Sequence, residues 1–142
     1  MKKLLVDTNI ILDLLAKRKE GYESAAQLFS LADQKKVELY VCSLSFANAH
    51  YILSRQLAED KVREILRKLK VLVNVIALDS KTIDKSLNSE FKDFEDALQY
   101  YSAVESNLDI IVTRNLKDFK KSNLPVMTAS QYIKINRRQG GH

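Results

Sequence analysis

The stretch KKLLVDTNIILDLL, residues 2–15, decides how the rest of the chain is read. A hydrophobic run breaks at Asp7-Thr8-Asn9, resumes at Ile10, and carries a further acid, Asp13, inside it. Asp7, Thr8 and Asn9 are all good N-cap residues, and Ile10, Ile11, Leu14 and Leu15 have helical spacing, so capping alone accounts for the break. A strand followed by a capped helix is the opening of a βα unit. Whether Asp7 is only a cap depends on what else reaches the end of that strand.

Further along, runs rich in β-branched residues predict strands at KLLVD (3–7), VELYVCS (37–43), VNVIALD (73–79), DIIVT (109–113) and PVMT (125–128). Helical patterns lie between them. Residues 22–34 place Ala25, Ala26, Leu28, Phe29 and Ala32 on a core face, and 44–57 do the same with Phe46, Ala47, Ile52 and Leu53. KVREILRKLK has an apolar stripe of Val62, Ile65, Leu66 and Leu69, which turns Arg63, Arg67 and Lys70 onto another, solvated face. Residues 80–88 and 94–106 form a further pair, the second carrying Leu98, Tyr101 and Val104. Parallel strands need crossover connections and helices supply them, so the alternation predicts an α/β fold with a mostly parallel sheet of about five strands. Ligands of such sheets bind beyond the carboxyl ends of the strands, which is where Asp7 stands.

The 142 residues are enough for one domain that buries its own core, and three Gly with one Pro leave little room for linkers. We expect a single domain over residues 1–133 and a basic, flexible tail over 134–142, after a short helix begun by Ser130. The single cysteine, Cys42, has no intrachain disulfide partner, and His50 and His142, the two histidines, lie in no zinc-like spacing. Zinc chemistry and a Ser-His-Asp triad are therefore disfavoured. No apolar run approaches bilayer-spanning length, and Asp7, Asn9 and Asp13 interrupt the first apolar segment in a way a secretory signal would not allow. The expected protein is soluble, makes no membrane contact and resides in the cytoplasm. Its net charge of +5 comes with clustered cations, among them Lys17-Arg18-Lys19 and Lys117 with Lys120-Lys121, which can attract phosphate backbones or simply solubilise the surface.

Other polar residues fall on the edge that Asp7 occupies. FEDAL places Asp96 in the first turn of a helix, with Asp93 reading as its N-cap. TRNLKDF puts Thr113 at the end of the fourth strand and Asp118 five residues on. Asp7, Asp96 and Asp118 at one edge crowd like charges, which a cation would relieve. Three hard oxygen donors suit Mg²⁺ or Mn²⁺, with Asn9 or Thr113 as neutral ligands or orienters of water.

The motifs LLVDTNIILDLL, CSLSFANAHYIL, DFEDALQYYSA and IIVTRNLKDF, in that order and over nearly the whole chain, resemble a PIN-domain protein of the VapC-like toxin kind. The resemblance implies a Rossmann-like three-layer sandwich, its central sheet flanked by helices, and a divalent-metal-dependent ribonuclease that hydrolyses RNA phosphodiester bonds. It also implies the toxin of a toxin-antitoxin pair, with a cognate antitoxin protein, and a homodimer, for which the apolar helix faces of residues 22–34 and 44–57 are candidates. Carried over by motif, Asp7, Asp96 and Asp118 would be catalytic acids and metal ligands, while Asn9, Asn48 and Thr113 would support the site. Asp93 would be an outer acid or a cap, and Asp13 a surface or salt-bridging residue. Arg114, Lys117, Lys120 and Lys121 would hold the RNA backbone.

The chain departs from the family pattern at Asn48, where the second motif normally supplies a glutamate. Asn keeps an oxygen but loses a charge and a methylene, and the next acid along that helix is Glu59. The alternative is thus a catalytically weak or inactive PIN module that binds RNA or a partner protein. A phosphoacceptor receiver domain with Asp79 as its acid is disfavoured, because the chain has DTN after its first strand and TAS after its last.

Overall fold

The computed structural model describes residues 1–140. In chain order the elements are β1 (Lys3–Val6), α1 (Thr8–Leu15), α2 (Tyr22–Asp33), β2 (Glu38–Cys42), α3 (Ser43–Leu53), α4 (Glu59–Leu72) and β3 (Asn74–Ile76). They continue with α5 (Ser80–Leu87), α6 (Phe94–Glu105), β4 (Ile110–Val112), a 3-10 turn (Leu116–Phe119), β5 (Val126–Met127) and α7 (Ala129–Gly140). Each strand predicted from β-branched runs is present, trimmed at its ends.

The five strands form one parallel sheet in the order β3-β2-β1-β4-β5. The chain therefore winds outward from β1 in one direction, then returns and winds outward from β4 in the other. That reversal opens a crevice beyond the carboxyl ends of β1 and β4, because the connections leaving the two strands diverge there. Leu4 pairs with Ile110, Leu5 with Ile111 and Val6 with Val112, so Asp7 and Thr113 are the next residues in register. The backbone N–H of Asp7 donates to the Val112 carbonyl at 3.0 Å, which holds the two strand ends together.

Side chains alternate across a strand, and both faces of β1 are buried. Leu4 and Val6 pack with Ile110 and Val112 against Ile10, Ile11, Leu28, Phe29, Tyr132 and Ile133 of α1, α2 and α7. Leu5 and Ile111 face the other way, against Tyr100 and Ala103 of α6 and against Phe119. These two helical layers around the sheet are the predicted sandwich. A smaller cluster of Leu12, Ala49, Leu53 and Val62 joins α1, α3 and α4 beside it.

Several details differ from the sequence-based expectation. The buried face of α3 is Ser45-Ala49-Leu53, spaced four apart, which leaves Ala47 exposed. On α6 the small residues Ala97 and Ala103 lie inward with Tyr100, while Val104 is turned out, because close approach to the sheet favours small side chains. The third strand is only Asn74–Ile76 and mostly exposed, as an edge strand with no neighbour on its far side. At the carboxyl end, α7 runs on to Gly140 where a tail from residue 134 was expected, since Tyr132 and Ile133 anchor it on the core. Of that tail, residues 141–142 lie outside the described residues.

Helix ends are built with almost no glycine. Lys17, Lys35 and Asn107, just past α1, α2 and α6, take φ of 51°, 59° and 57°. Their neighbours close the turn: Lys36 N–H donates to the Leu31 carbonyl at 2.9 Å and Leu108 N–H to that of Ala103 at 3.0 Å. This is the left-handed helix stop that glycine usually supplies. No helix among the described residues is long and apolar enough to cross a membrane.

Candidate active site

Alternation along β1 puts Asp7 on the face of Leu5, toward α6, and alternation along β4 puts Thr113 on the face of Ile111, also toward α6. Asp7 is 5 % exposed, and both its oxygens are engaged: Gln99 Nε2 donates to Oδ1 at 2.9 Å and Thr113 Oγ1 donates to Oδ2 at 2.8 Å. A buried carboxylate with a donor on each oxygen has one orientation. Thr113 Oγ1 in turn accepts from the backbone N–H of Asn115 at 3.1 Å, so the same hydroxyl orders the loop that leaves β4.

Gln99 was not anticipated from the sequence. Its signal was a long polar side chain inside the buried face of α6, flanked by Ala97, Leu98 and Tyr100. Its Oε1 is buried and has no partner among the described residues.

Asp93 is the N-cap of α6, and its side chain accepts from the backbone N–H of Asp96 at 3.0 Å. Asp96 is half-buried in the first turn. Its carboxyl is pushed up to about 7, first by burial and then by the charges of Asp93, Asp7, Asp118 and Glu95. Asp118 reaches the same neighbourhood on the 3-10 turn, whose Phe119 is sunk into the core. A cleft of about 270 Å³ opens here, with Asp93, Asp96 and Asp118 on its walls beside Lys117, Lys120 and Lys121.

Not every expected residue faces this cleft. Arg114 turns to Asp13, with Nη1 2.5 Å from Oδ1. Asp13 makes a salt bridge, as one of its expected roles required, but it is fully buried and not a surface residue. Its Oδ2 has no partner among the described residues. Asn9 stands half-buried in the first turn of α1, and neither hydrogen bond that orients Asp7 comes from it. Thr8 beside it joins its hydroxyl to Ser45 at 2.6 Å, which ties α1 to the second motif on α3. Asn48 lies on α3 and donates from Nδ2 to Glu95 Oε2 of α6 at 3.3 Å. Asp79 is the N-cap of α5, accepting from Thr82 N–H at 2.8 Å, which holds its carboxyl below the usual range.

Among the described residues, no three His, Cys, Asp or Glu side chains stand close enough to hold a metal ion as they lie. Asp7 is fully engaged by Gln99 and Thr113, and uncompensated acids repel one another.

A family model described as PIN domain matches residues 3–117. The chain is 24 % identical to Ribonuclease VapC1 of Aquifex aeolicus over 136 residues, covering 92 % of this chain and 93 % of that protein. Two solved structures share its fold. VapBC2 from Rickettsia felis, bound to a DNA fragment from its promoter, has a TM-score of 0.66 at 21 % identity, covering 88 % of this chain and 96 % of that one. DNA-bound VapBC from Salmonella typhimurium has a TM-score of 0.68 at 16 % identity, covering 91 % and 99 %.

Proposed function

The chain belongs to the PIN-domain family, and from that premise we propose that it is a divalent-metal-dependent ribonuclease, the toxin of a toxin-antitoxin pair. The observation that carries this reading is Asp96, half-buried among Asp93, Asp7, Asp118 and Glu95, at the crevice where the sheet changes direction. Its carboxyl is raised to about 7 first by burial and then by the charges of these neighbouring acids. An all-oxygen donor set with surplus negative charge fits Mg²⁺ or Mn²⁺. Asp7, Asp96 and Asp118 are the residues proposed to hold the ion. When bound, such an ion polarises a phosphoryl oxygen and makes water a nucleophile near neutral pH.

The remaining work falls to the chain. Gln99 and Thr113 hold the Asp7 carboxylate in one orientation beyond the end of β1. Lys117, Lys120 and Lys121 set positive charge on the rim of the same cleft, where they can hold the backbone of unpaired RNA. Whichever acid remains free of the ion accepts the proton of the attacking water as the phosphodiester is cut. Arg114, committed to Asp13 by one nitrogen, keeps its other donors for phosphate. The similarity to a protein named as a ribonuclease and to structures of VapBC complexes supports the toxin role and a protein antitoxin as partner; residence in the cytoplasm is proposed with them. A homodimer is proposed with it.

A second reading, a PIN module that binds RNA or a protein without cutting, is favoured by Asn48 in the second motif and by the spread of the acids. Incubating purified protein with single-stranded RNA in Mn²⁺, in Mg²⁺ and in chelator separates the two. The ribonuclease reading expects cleavage that chelator and Asp96→Asn both abolish. Retention of RNA by the wild type with no cleavage in either metal favours the second.

A further inference from the structure

We propose that a hollow beside the acid cleft, walled by Phe91, Tyr100 and Tyr101, seats one base of an unpaired RNA strand, with Lys121 on the phosphate between hollow and cleft. The inference rests on the ribonuclease reading above and adds to it a subsite that takes a base where the cleft takes backbone. Its basis is continuity. Glu90, Phe91 and Lys121 line both the cleft of about 270 Å³ and a second cavity of about 460 Å³, whose further walls include Tyr101, Asn88 and Asn123.

The aromatic rings brace one another. Phe91 lies 5.0 Å from Tyr100 and 6.2 Å from both Tyr101 and Phe119, centroid to centroid, and Tyr101 meets Tyr100 edge-on at 5.0 Å. Tilted and edge-on contacts of this kind are the favourable ones for aromatic pairs. Tyr100 is 5 % exposed, and its hydroxyl accepts from the backbone N–H of Asn123 at 3.1 Å, so it is the buried support of the group. Phe91 and Tyr101 are only half-buried, although the helical pattern placed Tyr101 on a core face, and both line the hollow. Rings held by their neighbours and left open on one side form a stacking platform before any ligand arrives, which lowers the ordering cost of binding.

The rim carries the polar groups that a nucleotide needs. Lys121 pairs with Glu90 at 3.5 Å, and both are exposed. A surface pair of this kind contributes little, so a phosphate can replace Glu90 at small cost. Asn88 and Asn123 are exposed on the same walls, and side-chain amides both donate and accept, as the edge of an unpaired base requires. Lys85 also lines the hollow but is held by Glu105 of α6. Aromatic faces, amides and a cation on the side nearest the acids together suit a base and its phosphate. An apolar side chain of a protein partner would leave the amides and the cation unused.

The test compares a short labelled oligoadenylate with an abasic ribose-phosphate strand of the same length, binding to the full chain being read by fluorescence anisotropy in chelator and in Ca²⁺. The wild type should bind the oligoadenylate about tenfold more tightly, the scale of one base stacked on an aromatic ring. Tyr101→Leu keeps an apolar side chain but lacks the aromatic face, and should weaken oligoadenylate binding about tenfold while leaving abasic binding unchanged. Tyr101→Phe should bind as the wild type does, and Lys121→Ala should weaken both strands. Tyr22→Ala, on α2 across the sheet, is the control and should change neither. The chain has no tryptophan, so Tyr101→Trp places a single indole in the hollow, and its fluorescence should be quenched by oligoadenylate and not by the abasic strand. Equal wild-type affinity for the two strands overturns the inference, as does wild-type binding by Tyr101→Leu or an indole that oligoadenylate leaves unquenched. Equal losses for both strands in Tyr101→Leu, with a lowered unfolding midpoint, overturn it too, because the ring is then structural. Cleavage of RNA in Mn²⁺ alongside any of these results leaves the ribonuclease reading standing. Absence of both cleavage and RNA binding by the wild type overturns the inference and the reading beneath it.

Discussion

Two residues show how position, and not residue type, sets chemistry in this chain. Asp96 has its carboxyl raised from 3.8 to about 7, so the folded chain keeps a proton that the unfolded chain has already released. Its contribution to stability is therefore full below the lower value and is lost as pH rises through the upper one. Metal-free protein should lose stability between about pH 4 and about pH 7 from this source, and Asp96→Asn should flatten that loss, as urea unfolding across the range will show. Because Asp96 accepts none of the hydrogen bonds described above, the Asn variant in chelator should be at least as stable as the wild type near neutral pH. The second residue is Gly21. A Cβ there would lie 2.0 Å from Asp13 Oδ2 and 2.4 Å from its Cγ. Asp13 is fully buried and tied to Arg114, so it has little room to yield. Gly21→Ala should cost about 1–3 kcal/mol, the range for overpacking, and the penalty should shrink in an Asp13→Ala background. Equal penalties in both backgrounds by denaturant unfolding would sink this account.

At the scale of elements, the helices are started and stopped by side chains other than the usual ones. Asp93 caps α6 while adding to the charge around Asp96, so its two contributions oppose each other. Asp93→Asn keeps an oxygen for the Asp96 N–H and removes the charge, and should be neutral or stabilising without metal. Asp93→Ala removes both and should lose about 1 kcal/mol of capping, less what relief of repulsion returns. The comparison of the two variants by thermal unfolding measures that relief. At the other end of helices, Lys35 is exposed and sits at φ 59°. Glycine has no Cβ to strain there, so Lys35→Gly should raise stability by about 0.5–1 kcal/mol after the greater freedom of the unfolded chain is counted. A loss of stability would mean that the Lys35 side chain makes a contact worth more than the strain.

For the molecule as a whole, the fold offers fewer free apolar faces than the helical patterns predicted. In α2, Ala25, Leu28 and Phe29 are buried in the core, which leaves Tyr22 at 39 % exposure as its large apolar contribution to the surface. Tyr51 on α3, 64 % exposed, and Leu57 just after it, at 39 %, are the better candidates for the proposed homodimer. A two-fold dimer through this face is the arrangement such a patch favours, since one surface then covers itself. Light scattering at micromolar concentration should give a dimer mass, and Tyr51→Glu should shift it toward the monomer. A monomer mass for the wild type would refute the assignment. Mn²⁺ should raise the melting temperature of the wild type, because an ion bound by the folded chain alone stabilises it, and it should fail to do so in Asp96→Asn.

What the sequence determined by itself is whatever is encoded locally. Strands and helices were legible because hydrophobic periods of two and of 3.6 are properties of adjacent residues. The placement of Asp7 at a strand end was legible because the apolar run breaks there, and the capping role of Asp93 because a cap acts on residues beside it. Ends of helices were less so, since Lys17, Lys35 and Asn107 give none of the signal that glycine would. The tertiary structure alone decided which distant polar groups meet. Gln99 reaches Asp7 across 92 positions, Thr113 reaches it across 106, and Arg114 finds Asp13 across 101. Asn48 and Glu95 belong to the same category. A polar side chain carries no local mark of its partner, because the hydrogen bond exists only once the sheet has been laid down in its order and the helices packed on it. The position of Asn48 suggested a missing acid; only the tertiary structure showed that its amide meets Glu95.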